Sequence, residues 1–144
     1  MIKTITVMSR KDAVKYTKRK HVDDKAAMLS INTVNILYGS RPVFCSHVPI
    51  IYKVNFDDIM PGEQGILMTT NDAEDVAKFV ARVEEKGFTH LIVHCDEGIS
   101  RSAAVAKAVA ESRNLTEDTV NYMHAPNHNT HVYNFMKEAL KKYL

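Results

Sequence analysis

The stretch that most constrains the fold is FTHLIVHCDEGISRSAAVAKAVA, residues 88–110. Its apolar run Leu91–Val93 predicts a buried strand, and the Ala-rich segment from Ser102 predicts a closely packed helix. A strand, a tight loop and a helix N-terminus form an anion-binding geometry, because their backbone N–H groups point into one hollow. We therefore expect an anion site with Cys95 at its start and Arg101 at its end.

The rest of the chain alternates strand-like and helix-like patterns. Strands are expected at Ile2–Met8, at Ala26–Ile31 and within Val43–Phe56. Helices are expected to start after Ser9, at Asn71 with Glu74, and at Asn114 with Glu117. A final helix is expected to bury Val132, Met136, Leu140 and Tyr143. This alternation predicts an α/β fold with a central, mostly parallel sheet flanked by helices, the anion-binding loop joining a strand to a helix. The 144 residues suit one domain of ordinary size, so we expect a single domain over residues 1–144.

Composition excludes several classes of function. A net charge of +2 is too small and too mixed to indicate nucleic-acid binding. No apolar run approaches the roughly 20 residues of a membrane helix, and the N-terminus lacks the apolar core of a signal peptide. Two cysteines imply no disulfide framework. We expect a cytoplasmic monomer with no nucleic-acid or membrane partner.

The loop carries a resemblance to a known family. Its sequence HCDEGISRS, His94–Ser102, matches His-Cys-x5-Arg-Ser/Thr, the signature of cysteine-dependent protein tyrosine phosphatases. Gly98 and the run Ser100-Arg101-Ser102 look most like the compact dual-specificity branch and its small bacterial and phage relatives. Elsewhere, Phe56–Ile59 resembles the strand end where this family keeps its general acid, and Pro126-Asn127 resembles a recurring feature before the last helix.

The resemblance implies a hydrolase, specifically a protein phosphatase acting on phosphotyrosine through a phosphocysteine intermediate, with phosphoserine and phosphothreonine as additional candidate substrates. Cys95 would be the nucleophile, its thiolate stabilised by loop amides, the helix dipole and Arg101. Arg101 would hold two phosphate oxygens in a bidentate fork. Ser102 would help Cys95 leave, would cap the following helix, or both. His94 would order the loop. The remaining loop residues would bind substrate mainly through backbone N–H groups: Asp96, Glu97, Gly98, Ile99 and Ser100.

The leaving oxygen needs a proton, and two adjacent acids are candidates to supply it. Asp57 and Asp58 directly follow a predicted strand, at the end where parallel α/β sheets place their sites. Matching the hydrophobic-acid-acid pattern to the family favours Asp58, and Asp57 stays open as a supporting or alternative acid. The same acid would then activate water in the second step.

The histidines and the second cysteine give weaker signals. His124, His128 and His131 do not share one helix face, and no further ligand completes a metal shell, so neither a metal nor another cofactor is expected. Cys45 is expected to be a small core residue, with oxidative pairing to Cys95 as the alternative.

Two other functions remain open. One is a catalytically silent module of the same fold that binds phosphate or a phosphoprotein, and the other is a redox or sulfur-transfer cysteine enzyme. The complete signature favours the hydrolase, with a phosphorylated protein or peptide as its partner. A phosphoinositide or RNA phosphatase would be expected to carry basic residues in the loop, where this chain has Asp96 and Glu97.

Overall fold

The structure, a computed structural model, describes residues 1–19, 22–34, 48–116, 119–121 and 128–144. Its elements in chain order are β1 (Thr4–Met8), α1 (Arg10–Thr17), β2 (Ala26–Asn32), β3 (Ile50–Asn55), α2 (Thr70–Glu85), β4 (His90–His94), α3 (Arg101–Ser112), β5 (Val120–Asn121) and α4 (Thr130–Tyr143). The strands form one sheet in the order β3-β2-β4-β1-β5, and every pairing is parallel. The predicted α/β fold with a central parallel sheet flanked by helices is confirmed.

Helices cover both faces of the sheet. On β2, Leu29 and Ile31 pack into a core with α2, α3 and α4. The intervening Met28 points to the other face and packs with Ala13 and Tyr16 of α1. This alternation is the two-residue period of a strand, here with apolar residues on both sides because both faces are covered.

The parallel arrangement brings four strand ends to one edge of the sheet. Ser9 follows β1, Thr33 follows β2, Phe56 follows β3 and Cys95 follows β4. Because β4 lies between β1 and β2, Cys95 leaves the sheet at its centre, with polar chain segments on either side. This edge is where open α/β sheets bind ligands.

Helix α2 begins with a reciprocal cap. The Thr69 hydroxyl accepts from the Asp72 backbone N–H at 3.1 Å, and the Asp72 carboxylate accepts from the Thr69 N–H at 2.9 Å. The prediction of Asn71 with Glu74 as the capping pair is wrong, because the pair that satisfies the first-turn N–H groups lies two residues earlier.

The helix predicted to start at Asn114 is also wrong. Asn114 has a φ of 55° and lies in the turn that ends α3, where the Leu115 N–H donates to the Ala110 carbonyl at 2.9 Å. Asparagine adopts this left-handed conformation more readily than most residues, so it ends a helix here. Some predictions fall outside the described residues: those for residues 35–47 including Cys45, and for Glu117, His124 and Pro126-Asn127.

Candidate active site

The loop between β4 and α3 surrounds the Cys95 sulfur. Cys95 is 2% exposed, and its Sγ accepts a hydrogen bond from the Gly98 N–H at 3.2 Å. The Ser102 hydroxyl lies 3.0 Å from the same sulfur. Ser102 belongs to the first turn of α3, and Ser100 occupies the N-cap position without a side-chain cap bond. Ser102 therefore contacts the thiol, and the alternative that it caps the helix is wrong.

Gly98 lets the loop approach the first strand closely. Its φ is +77°, and a Cβ atom there would lie 2.7 Å from the backbone carbon of Met8 and 2.8 Å from the Ser9 nitrogen. The Arg10 N–H donates to the Asp96 carbonyl at 3.1 Å on the same side. The start of α1 thus supports the loop from behind, and only glycine fits at position 98 without displacing backbone.

The Arg101 guanidinium is buried and held from two sides. Nη1 donates to the Phe56 carbonyl at 2.7 Å and to the Thr33 hydroxyl at 3.3 Å, and Nη2 lies 3.0 Å from the Asp96 carboxylate. The third nitrogen, Nε, is buried and has no hydrogen-bond partner within the described residues. A buried donor of this kind is costly unless something accepts from it, so a ligand oxygen at this position would be stabilised.

Asp96 does more than the sequence predicted. Its backbone was expected to bind substrate with the side chain turned away, but its carboxylate accepts from the Thr33 hydroxyl at 2.6 Å and pairs with Arg101. Partial burial opposes ionisation, yet the Thr33 hydrogen bond and the Arg101 charge outweigh burial and hold the pKa of Asp96 below its ordinary value. The carboxylate therefore stays charged and orients the guanidinium.

His94 supports the loop from inside the sheet. Its Nδ1 lies 3.1 Å from the Cys95 carbonyl, which can only accept, so Nδ1 carries the proton. Burial lowers the pKa of His94, which leaves Nε2 as an acceptor for the Ser30 hydroxyl at 2.6 Å. Asn32 Nδ2 in turn donates to the Ser30 oxygen at 3.1 Å. This chain of polar contacts orients the carbonyl of the cysteine, as expected for a residue that orders the loop.

The two adjacent acids after β3 have different surroundings. The Asp57 carboxylate accepts from the Val34 N–H at 2.9 Å and from the Ile66 N–H at 2.8 Å. Each of its two oxygens thus accepts a hydrogen bond from the backbone of a different chain segment. The exposed Asp58 carboxylate accepts from the Ser100 hydroxyl at 2.7 Å and lies on the same side as the loop.

A cavity of about 260 Å³ gathers these groups. It is lined by Thr33, Asp58, Cys95, Asp96, Glu97, Ile99, Ser100 and Arg101. Among these lining residues, Thr33 is the one that the sequence did not indicate. Sequence reasoning also missed Asn129, whose amide donates to the Asp58 carboxylate at 2.9 Å. An asparagine just before the last helix could have been recognised as an N-cap from the sequence. Its contact with Asp58 could not, because the two residues lie far apart along the chain.

Comparison with known proteins gives no independent indication of function. No protein-family model matches the chain, and no curated protein is significantly similar to it. Among the described residues, no group of three or more His, Cys, Asp or Glu side chains is arranged to hold a metal ion. Within that same part of the chain, no helix is both long and apolar enough to cross a membrane.

Proposed function

We propose that the chain is a cysteine-dependent phosphatase that hydrolyses phosphate monoesters through a phosphocysteine intermediate. The observation that carries this proposal is the shared cavity: a buried thiol, a fixed guanidinium and a carboxyl group line the same 260 Å³ space. A nucleophile, an oxyanion-binding group and a proton donor are the three parts that such a displacement needs. The resemblance of the loop to protein tyrosine phosphatases supports the same assignment.

In the first step, the Cys95 thiolate attacks phosphorus, the S–P bond forms, and the P–O bond to the leaving group breaks. The oxygen of the leaving group takes its proton from Asp58. The thiolate is the reactive form, and it is favoured by the Gly98 N–H and the Ser102 hydroxyl, both of which contact the sulfur. Burial of the sulfur keeps competing water away from it.

Arg101 binds the phosphoryl group. Its Nη1 and Nη2 are already engaged by protein oxygens, so the planar group is oriented before the substrate arrives. The buried Nε gains an acceptor when a phosphate oxygen enters the cavity. Such preorganised donors stabilise the charge that develops in the transition state without reorganisation at that moment.

Asp58 is the proton donor of this proposal. Its carboxyl group lines the cavity with Cys95, whereas the Asp57 carboxylate is occupied by two backbone N–H groups. In the second step Asp58 takes a proton from water, the hydroxide attacks phosphorus, and the S–P bond breaks. The Ser102 hydroxyl, 3.0 Å from the sulfur, stabilises the departing thiolate.

We propose phosphorylated protein or peptide side chains as the substrates, with phosphotyrosine first and phosphoserine and phosphothreonine as further possibilities. The acidic side chains of Asp58, Asp96 and Glu97 around one arginine disfavour substrates that carry several phosphates, because like charges repel in a shared cavity. A thiol nucleophile requires reducing surroundings, so we propose a cytoplasmic setting.

The decisive test is turnover of p-nitrophenyl phosphate in the presence of EDTA. We expect hydrolysis that vanadate blocks and that Cys95→Ser abolishes. Activity that survives Cys95→Ser, or that EDTA removes, would refute the proposed mechanism. Vanadate binding by a wild-type chain that turns over no phosphomonoester would instead indicate the catalytically silent module.

Two serines on α3 offer a matched pair of variants. Ser102→Ala removes the hydroxyl beside the sulfur, whereas the Ser112 hydroxyl donates to the Val109 carbonyl at the far end of the helix. Ser102→Ala should slow hydrolysis of the intermediate and produce a pre-steady-state burst of p-nitrophenol. Ser112→Ala should show wild-type kinetics.

A further inference from the structure

Asn129 joins three parts of the molecule at the edge of the cavity. It is 6% exposed and forms the N-cap of α4, its Oδ1 accepting from the Val132 N–H at 3.1 Å. Its backbone N–H donates to the Ser100 carbonyl at 3.2 Å, in the loop that holds Cys95. Its Nδ2 donates to Asp58 Oδ1 at 2.9 Å and to the Ile59 carbonyl at 3.0 Å.

The partners fix the orientation of the Asn129 amide. The Val132 N–H can only donate, so the amide oxygen must face α4. The Ile59 carbonyl can only accept, so the amide nitrogen must face the segment that carries Asp58. Because the amide orientation is fixed from both sides, Asn129 Nδ2 is the donor and Asp58 Oδ1 the acceptor of the hydrogen bond between them.

Asp58 Oδ1 accepts two hydrogen bonds, one from Asn129 Nδ2 at 2.9 Å and one from the Ser100 hydroxyl at 2.7 Å. A carboxyl oxygen that accepts two hydrogen bonds is the unprotonated oxygen of the acid form, because a proton on it would displace one of the donors. The proton of the neutral acid therefore lies on Oδ2.

We propose that Asn129 is a positioning residue which, together with Ser100, makes Oδ2 the atom of Asp58 that gives its proton to the leaving group. This inference rests on the proposed phosphatase function. Asn129 acts through Asp58 and need not touch the substrate. Because the backbone N–H of Asn129 also donates to the Ser100 carbonyl, the residue sets the position of the acid relative to the loop that carries the nucleophile.

His131, in the first turn of α4, is a control position close to Asn129. His131 Nε2 donates to the Met68 carbonyl at 2.9 Å, so it holds the far end of the segment that begins at Asp58. His131 makes no described hydrogen bond to either Asp58 or the Cys95 loop. Loss of the His131 bond therefore loosens the segment without removing either donor from Asp58 Oδ1.

The test compares two substrates that differ in their need for a proton. Phenyl phosphate has a poor leaving group, whereas 2,4-dinitrophenyl phosphate has one that departs as an anion. Asn129→Ser keeps an oxygen for the helix cap but removes both amide donors. We expect kcat for phenyl phosphate to fall roughly 10- to 100-fold more than kcat for the dinitrophenyl ester, with KM little changed for either.

Asn129→Thr is the second variant, since threonine, like serine, offers an oxygen for the helix cap but no amide donor to Asp58. It should show the same selective loss. His131→Leu should lower the melting temperature and leave the ratio of the two kcat values as in the wild type. In an Asp58→Ala background, Asn129→Ser should not change the ratio further.

Two outcomes would overturn the assignment: an unchanged ratio of the two kcat values in both variants, whether or not the rates fall, or a selective fall that persists without Asp58. A wild-type chain that hydrolyses neither ester would overturn the proposed function itself and this inference with it. An active wild type with an unselective Asn129 effect would overturn this inference alone.

Discussion

Replacing Gly98 by alanine tests the contact that supports the cysteine loop. At a φ of +77°, the new Cβ would lie 2.7 Å from the Met8 backbone carbon and 2.8 Å from both the Met8 oxygen and the Ser9 nitrogen. A left-handed conformation costs alanine about 1–2 kcal/mol. Relief of the overlap costs roughly 1–3 kcal/mol more, because backbone atoms have no rotamer to move into. Gly98→Ala should therefore lower the free energy of unfolding by roughly 2–5 kcal/mol.

Gly87→Ala is the matched control. Gly87 has a similar φ of +85°, but its Cβ would meet no atom within 4 Å. Urea denaturation of both variants should show a loss of about 1–2 kcal/mol for Gly87→Ala, from the backbone alone. Because the Gly98 N–H also contacts the Cys95 sulfur, Gly98→Ala should slow turnover of p-nitrophenyl phosphate, whereas Gly87→Ala should not. Equal stability losses, with turnover intact in both, would refute the packing argument.

The other predictions concern charged groups. Asp58→Ala should lower kcat for phenyl phosphate about 100-fold or more, whereas Asp57→Ala should chiefly lower the urea midpoint, because the Asp57 carboxylate accepts two backbone N–H groups. The reverse result would exchange the roles of these acids. Since the pKa of Asp96 is lowered, its stabilisation is present above about pH 4 and is lost as pH falls through the lowered folded-state value. Asp96→Asn should therefore show a flatter dependence of unfolding free energy on pH between about 5 and 2, and an unchanged slope would contradict this. Arg113→Met should cost roughly 3 kcal/mol in urea denaturation, because Glu84, whose side chain is 8% exposed, would lose the partner 2.9 Å away. A loss below about 1 kcal/mol would mean that the pair is solvated.

The cysteine loop could be predicted in detail because its chemistry is local. The residues that surround the sulfur and begin the helix lie within nine consecutive positions, His94–Ser102. The apolar run before the loop and the Ala-rich segment after it imply a strand, a loop and a helix, and the structure has β4 and α3 on either side of the loop. The parallel sheet was equally readable, since strand and helix patterns alternate along the chain.

The contacts that support the loop and Asp58 could not be predicted from the sequence, because they join distant parts of the chain. Thr33 reaches Asp96 across the ends of β2 and β4, and Asn129 reaches Asp58 across the ends of β3 and α4. Each contact depends on the order of strands in the sheet, which the sequence does not encode locally. The sequence left the choice between Asp57 and Asp58 open for the same reason. The Val34 and Ile66 N–H groups that donate to the Asp57 carboxylate come from elsewhere in the chain.

The exact residues at which helices begin and end could not be predicted, for a different reason. Thr69 with Asp72 and Asn71 with Glu74 are both plausible capping pairs by residue type, and only the backbone decides between them. Asn114 likewise suits either the start of a helix or the left-handed turn that ends one. Residue preferences at caps are shared by neighbouring positions, so boundaries shift by a residue or two even where the element itself is predicted correctly.

The most direct test of the proposed chemistry is to trap the intermediate. The protein would be mixed with p-nitrophenyl phosphate, quenched within the first turnover, digested, and mapped by mass spectrometry, with Ser102→Ala used to slow breakdown of the intermediate. We expect one phosphoryl group on the Cys95 sulfur. We also expect this group to be absent from Cys95→Ser and from samples pre-treated with iodoacetate. A phosphoryl group on another side chain, or rapid turnover with no phosphorylated Cys95 at any quench time, would refute the phosphocysteine mechanism.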